Sequence, residues 1–257
     1  MLQGQRLLLR IASSIQMKSI GVNQWAGADT WLVEAAHDLQ RVADQARRRA
    51  QDRWKRLVPS DKFFELARQR FRIPQLFGVA PVRWYYQIGD WTLAEIRPTA
   101  LHDAKDSATF LVHLQSLYVV DSMRGHGEGK RALAAIKQLA EECSCAVTLF
   151  AKSFAFSKND DLPNAVETFD ELVHASLEEM WPVVYQPEWD IECLRFFYES
   201  CGLTNICLYG PWVYQRPKEE DLPFDRHFIY LPQSMDAGHR SQLANRLNPG
   251  MCKYCNR

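Results

Sequence analysis

The sequence predicts an α/β domain built on a mixed central β-sheet flanked by helices. Three observations carry that prediction. Thr109–Val120 (TFLVHLQSLYVV) is an apolar, β-branched run too hydrophobic for an edge strand. A glycine cluster follows it, and then a helical pattern from Lys130 to about Cys143 with Leu133, Ile136, Leu139 and Ala140 on one face. Ala146–Phe150 (AVTLF) then reads as a second, short buried strand.

The remaining elements are taken in chain order. Arg6–Ser13 (RLLLRIAS) reads as the first strand of the domain. Arg6, Arg10, Lys18 and several serines with no acid before Asp29 also make residues 1–28 compatible with a transit peptide; the strand reading is preferred. Thr30 to Arg56 is a long helix, because Trp31, Leu32, Ala35, Leu39, Ala43, Ala46 and Trp54 recur near helical spacing. Pro59-Ser60-Asp61 interrupts it, and Ser60 or Asp61 can cap a second helix that runs to about Arg72 before Pro74. Arg83–Ile88 and Trp91–Ile96 form a hairpin across Gly89-Asp90. Pro163 to Met180 reads as an acidic helix carrying Glu167, Asp170, Glu171, Glu178 and Glu179. Asp190 to Cys201 is the last amphipathic helix, closed by Gly202 where a C-cap glycine belongs. Ile206–Tyr209 and Trp212–Gln215 are the final strands, and the chain beyond Arg216 is polar and peripheral.

The expected organisation is therefore one domain over residues 1–216, with a basic helical segment at 28–72, an acidic insertion at 152–190 and a C-terminal extension at 217–257. Lys+Arg and Asp+Glu both total 31, so net charge selects no class of partner. No apolar run approaches the ~20 residues of a membrane span. Seven cysteines without framework spacing point to free thiols in a reducing compartment, and a cytoplasmic protein is expected.

The chemistry is concentrated in Leu117–Gly129 (LYVVDSMRGHGEG). A strand that enters a glycine-rich turn and then a helix is an anion-binding device, since the helix start presents unpaired N–H groups and glycines allow close approach. Spacing narrows the ligand. The nucleoside-triphosphate pattern would need glycine at Arg124 and Ser or Thr at Arg131. Gly125, Gly127 and Gly129 are spaced G-x-G-x-G, which is not the dinucleotide fingerprint either.

Arg124, Gly127 and Gly129 instead satisfy the coenzyme A motif Gln/Arg-x-x-Gly-x-Gly/Ala of the GNAT acetyltransferases, with Leu117-Tyr118-Val119 ending the strand before it. Roughly seventy residues on, Leu194–Leu203 (LRFFYESCGL) resembles the family's second signature, Leu/Phe-Tyr-x-x-x-Gly-Phe/Leu. The two segments cover the acetyl-CoA half of a GNAT fold, and residues from about 83 to 216 are compatible with it. Two features depart from the pattern: Glu128 stands where the family is usually apolar, and the connection from about Lys152 to Asp190 is long.

The resemblance implies transfer of an acetyl group from acetyl-CoA to a primary amine of a small molecule or protein. It makes Leu117, Tyr118, Val119, Arg124, Gly125, His126, Gly127, Gly129 and Lys130 the acetyl-CoA-binding set. Backbone N–H at the splayed end of the central strand, near Leu117–Val119, would polarise the thioester carbonyl, and Tyr198 would protonate the departing thiolate. His113 stands where several relatives carry a glutamate base; a lone histidine in a buried strand also serves as a structural residue, and both readings stay open. Glu95 on the neighbouring hairpin strand is the reserve base.

The acceptor side is less legible. From His37 to Arg72 there are eleven Lys/Arg against five Asp/Glu, including Arg47, Arg48, Arg49 and Arg53. A solvated helix face with internal pairs is the plainer explanation, and contact with nucleic acid is the sharper one. Cys252-x-x-Cys255 resembles half of a zinc site without a second half, so no metal is expected. The alternative functions are a nucleic-acid-directed enzyme of the same fold and a non-catalytic CoA-binding module.

Overall fold

The computed structural model describes residues 26–76, 80–81, 84–100, 105–151, 154–159, 162–163, 165–177, 183–185, 189–206 and 227–247. The chain divides into two units, 1–57 and 58–257. In the first, Ala26–Arg56 forms a 31-residue helix, α1. Its charges pair along its own surface: Asp38 with Arg41 at 3.0 Å and Asp44 with Arg47 at 3.2 Å. Such i,i+3 pairs support an exposed helix by a few tenths of a kcal/mol each.

The second unit begins with α2 (Pro59–Arg70), where Pro59 supplies the preset first turn. Short strands β1 (Gln75–Leu76) and β2 (Ala80–Pro81) pair with each other. Then come β3 (Tyr85–Ile88), β4 (Thr92–Pro98), β5 (Leu111–Val119), α3 (Glu128–Cys143) and β6 (Ala146–Phe150). The acidic segment holds β7 (Phe154–Asn159), β8 (Leu162–Pro163), α4 (Phe169–Leu177) and β9 (Val183–Tyr185). The chain continues through α5 (Trp189–Ser200), β10 (Thr204–Ile206), β11 (His227–Tyr230) and α6 (Ala237–Leu247).

Six strands make the main sheet, in the order β10-β11-β6-β5-β4-β3. Only β5 and β6 run parallel, joined by the α3 crossover; every other neighbour is antiparallel. The expected mixed sheet flanked by helices is thus present. One face is mainly apolar: Ile96, Val112, Leu114, Val147, Leu149 and Phe228 pack with Phe63, Phe64 and Ala67 of α2 and with Leu133, Ile136 and Leu139 of α3. The other face is covered in two places. The α4 residues Leu172 and Ala175 lie with Leu93 and Tyr118 at one end, and Leu243 of α6 lies with Phe110, Leu111, Ala146 and Ile229 at the other.

Several expectations change. The hairpin link is three residues, because Ile88 pairs directly with Thr92, and Gly89 takes φ +67°. The helix expected over Pro163–Met180 begins only at Phe169; Pro163 sits in β8 of a small sheet ordered β8-β7-β9. The start is set by a capping box, with the Thr168 hydroxyl accepting the Glu171 N–H (3.2 Å) and the Glu171 carboxylate accepting the Thr168 N–H (3.3 Å).

The largest correction concerns residues 217–257, read as a peripheral extension. They supply β11, which lies inside the sheet between β10 and β6 with Phe228 fully buried, and α6 after it. A carboxylate ties this segment down: Glu141 of α3 accepts from the Tyr230 hydroxyl, the Gln233 N–H (2.9 Å) and the Ser234 N–H (3.2 Å). Of the expected strand 206–209 only Ile206 is described, at the end of Thr204–Ile206; residues 207–209, 6–13 and 212–215 lie outside the described residues, as do Cys252 and Cys255.

Candidate functional site

Among the described strands, β5 and β6 part before either neighbour of β5 ends. Parallel pairing of β5 with β6 runs from Leu111↔Ala146 to Leu114↔Leu149 and stops. Pairing of β5 with β4 continues to Val119, across a bulge where Glu95↔Ser116 is followed by Ile96↔Leu114, so that Gln115 is the extra residue. A bulge bends and twists its strand. Here it falls at the residue where β5 leaves β6, so Gln115–Val119 carries one unpaired backbone edge among the described strands.

The glycine loop sits at the end of that freed stretch. Gly127 is the N-cap residue of α3 at φ +82°, a conformation costing an L-residue about 1–2 kcal/mol. No side chain caps α3, so its first N–H groups are left to a ligand or water. Gly129 is closely approached: a Cβ there would lie 3.3 Å from the Phe197 ring, a tight contact, and 3.7 Å from Val119. Phe197 of α5 therefore closes directly over the helix start. Arg124 donates from Nε to Asp121 (2.9 Å) and lies 4.8 Å above the Tyr118 ring. Glu128 is bound to Arg131, which also donates to the His126 carbonyl at 3.1 Å. That pairing holds the Glu128 carboxyl below its ordinary range, and Arg131 offsets its charge.

Asp121 escaped the sequence reading. One of its oxygens accepts from the Tyr118 hydroxyl (2.8 Å) and from the Val166 N–H of the insertion, the other from Arg124, and its own N–H donates to Val166 O at 2.9 Å. The carboxylate fastens central strand, glycine loop and insertion together. With burial as the larger cause, it also helps push the Tyr118 phenol far up.

A band of polar side chains crosses the face between α4 and α6. Strand register puts Tyr85, Glu95, Arg97, His113, Thr148 and His227 on that face. Glu95 and Thr148 are each 5% exposed. The Glu95 carboxylate binds Arg97 two residues along and hydrogen-bonds Tyr85, whose phenol is pushed up to about 12 by burial and by that carboxylate. Thr148 donates its single hydroxyl hydrogen to Val112 O (3.2 Å), so it accepts from Nδ1 of His113 at 3.1 Å. The His113 tautomer is thereby fixed, with a lone pair on Nε2. Burial, and then Arg97, take its pKa down to about 4, so it is neutral near pH 7. His227 is likewise lowered to about 4 by burial and by His113. Its Nδ1 is buried without a hydrogen-bond partner among the described residues. No sequence signal marked it, because its strand was expected elsewhere.

Tyr198 lies on the opposite, apolar side. Its ring is 5.4 Å from Phe228 and 5.2 Å from Phe197, and burial raises its phenol to about 12. The structure thus brings His113, Glu95 and His227 onto one face and Tyr198 onto the other, with the parting of β5 from β6 between them.

Among the remaining candidates, Arg48, Arg49 and Arg53 are exposed on α1 and form no ion pair among the described residues, whereas Arg70 of α2 is spent on Glu142 of α3. No cluster of three or more His, Cys, Asp or Glu poised for a metal occurs among the described residues, and no described helix is long and apolar enough to cross a membrane. Comparison with family models, curated proteins and solved structures finds no match to this chain.

Proposed function

We propose that this chain is an acetyl-CoA-dependent N-acetyltransferase of the GNAT type. The observation that carries this reading is the parting of β5 from β6 at Leu114, coincident with the Gln115 bulge and followed by the uncapped, glycine-opened start of α3. A splayed central strand leading into Arg124-x-x-Gly127-x-Gly129 is what the sequence resemblance requires.

On this reading the diphosphate of acetyl-CoA meets Arg124, Lys130 and the N–H groups of the first α3 turn. Space supports the assignment: a Cβ at Gly125 would meet nothing within 4 Å, and one at Gly127 only the Arg131 guanidinium. The acyl arm lies along the free edge of Gln115–Val119, whose N–H groups polarise the thioester carbonyl. Tyr198, kept as a phenol, donates to the leaving thiolate from one face. His113 Nε2 accepts the amine proton from the other. Glu95 is the weaker base, because Arg97 and Tyr85 already engage its carboxylate.

Thermal unfolding with and without acetyl-CoA tests the reading. Ligand at about 100 times its dissociation constant adds ~2.7 kcal/mol, a rise of roughly 5–10 °C for a domain of this size. Gly129→Glu should abolish the rise. An unshifted wild type rejects the proposal. A shift without thiol release in the wild type would favour a non-catalytic CoA-binding module, whereas loss of thiol release in Tyr198→Phe or His113→Gln with the shift kept excludes it. A nucleic-acid-directed enzyme is favoured only by the exposed Arg48, Arg49 and Arg53, which form no ion pair among the described residues, and salt-dependent binding of DNA or tRNA is its signature.

A further inference from the structure

The helix α1 carries an apolar stripe on a surface that is otherwise polar and charged. Four large apolar side chains are exposed among the described residues, and two of them, Leu39 (55%) and Val42 (60%), stand on this one helix. Ala35 and Ala46 continue their line, giving successive spacings of four, three and four residues. That is the a/d repeat of a coiled-coil seam. Single exposed aliphatics are ordinary on a protein surface. A heptad-spaced row is the means by which long helices associate side by side. Ala36, Ala43 and Ala50 run beside the seam at seven-residue intervals, so a neighbouring backbone can approach closely.

Charge decides what lies on that stripe. In sequence, the first half of α1, residues 26–40, has three acids (Asp29, Glu34 and Asp38) and no Lys or Arg. The second half, 41–56, has seven Lys or Arg against Asp44 and Asp52. The helix macrodipole accounts for charge in the terminal turns alone, and Arg47, Arg48 and Arg49 lie at least a turn before Arg53, where the last turn begins. Arg41 and Arg47 pair with Asp38 and Asp44 of their own helix, whereas Arg48 and Arg49 are exposed and form no ion pair among the described residues. A second copy laid antiparallel sets the acidic half of each helix against the basic half of the other and opposes the two macrodipoles. A parallel copy would bring the two basic halves together. A nucleic-acid backbone would meet the basic half only and leave Leu39 and Val42 in water. Position agrees with charge, because Leu39 and Val42 straddle the midpoint of the helix. An antiparallel pair centred between Gln40 and Arg41 sets Leu39 of each copy against Val42 of the other, and Ala35 against Ala46.

We propose that α1 pairs with α1 of a second copy of this chain as an antiparallel two-stranded coiled coil, with Leu39 and Val42 at its centre. The same surface is used by both copies, so the contact is isologous and closes at a dimer. With two large aliphatics per copy the seam is short, and the dissociation constant falls on the order of 10 µM. The pairing is independent of the acetyltransfer reading.

Sedimentation velocity on the full chain tests it, with reductant present so that the exposed Cys193 thiol cannot link copies. The expected result is a monomer–dimer equilibrium between about 1 and 100 µM protein. The dimer should weaken several-fold at about 1 M salt, where charges more than ~3 Å apart are screened. Leu39→Ala combined with Val42→Ala should abolish it; alanine is the strongest helix former, so the change removes the seam and spares the helix. Arg48→Glu with Arg49→Glu should weaken it at low salt and leave both aliphatics in place. A wild-type chain that stays monomeric throughout overturns the proposal, and if the alanine variant then unfolds more readily, the stripe is covered within one chain. A dimer that the alanine pair leaves intact is held elsewhere and overturns it too. A dimer that tightens with salt overturns the antiparallel arrangement, and one lost on nuclease treatment shows nucleic acid bridging the basic halves in place of the seam.

Discussion

Moving the protein from pH 7 to pH 4.5 should destabilise it through two particular side chains. His113 and His227 are held at about 4 by burial, against an ordinary 6.5 in the unfolded chain. Below pH 6.5 the unfolded chain therefore binds protons that the folded chain refuses, so stability is full above that value and is lost as pH falls towards 4. At pH 4.5 linkage gives a loss on the order of 2–3 kcal/mol per histidine, from a domain total of about 5–15 kcal/mol. Urea unfolding followed by tryptophan fluorescence at pH 7, 5.5 and 4.5 measures it. The comparison is with a His113→Asn, His227→Phe double variant, which should have a much flatter acid limb. Carboxyls held low by hydrogen bonds or ion pairs, such as Glu141 and Glu142, add an acid loss common to both proteins, so the difference between the curves isolates the imidazoles. Parallel loss of stability in both would refute the argument that the band holds two neutral histidines.

Three further outcomes are expected. Gly127→Ala should cost about 1–2 kcal/mol of unfolding free energy through its positive φ alone, and Gly129→Leu more, because the side chain must displace Phe197. Asp121→Asn should cost about 1–3 kcal/mol and raise hydrogen exchange in residues 169–177, since Val166 and Arg124 lose a shared acceptor. Alanine at Arg70 should change stability by no more than about 1 kcal/mol, because its pair with Glu142 is exposed; a larger loss in urea titration would show a structural role for that contact.

The parts legible in the sequence were those governed by local pattern. The run through Leu114 and Val119 announced a central strand, and the spacing of Leu133, Ile136 and Leu139 announced the helix behind it. Thr168-x-x-Glu171 was also a legible start signal, overlooked because the acidic residues drew the helix back to Pro163. What stayed hidden depends on register. Thr148 as the acceptor that fixes the His113 tautomer, and Phe150 as the neighbour of His227, follow from which residues face across β5, β6 and β11. Asp121 was invisible for the same reason, since its partner Val166 lies 45 residues away. The tail misled because a four-residue strand carries too little pattern to outweigh its polar flanks.

The position of β11 imposes an order of events on synthesis. No prefix of this chain that stops before Tyr230 can close the six-stranded sheet, because β6 and β10 meet only through the strand that comes last. At about 5–20 residues per second, the interval between completing Ile206 and completing Tyr230 is roughly 1–5 s. Throughout it, both flanking strands present open edges of the kind that recruit neighbouring chains. A nascent protein of this design depends on finishing quickly or on being shielded. Slow codons placed across residues 207–226 should therefore lower soluble yield while leaving the finished molecule unchanged.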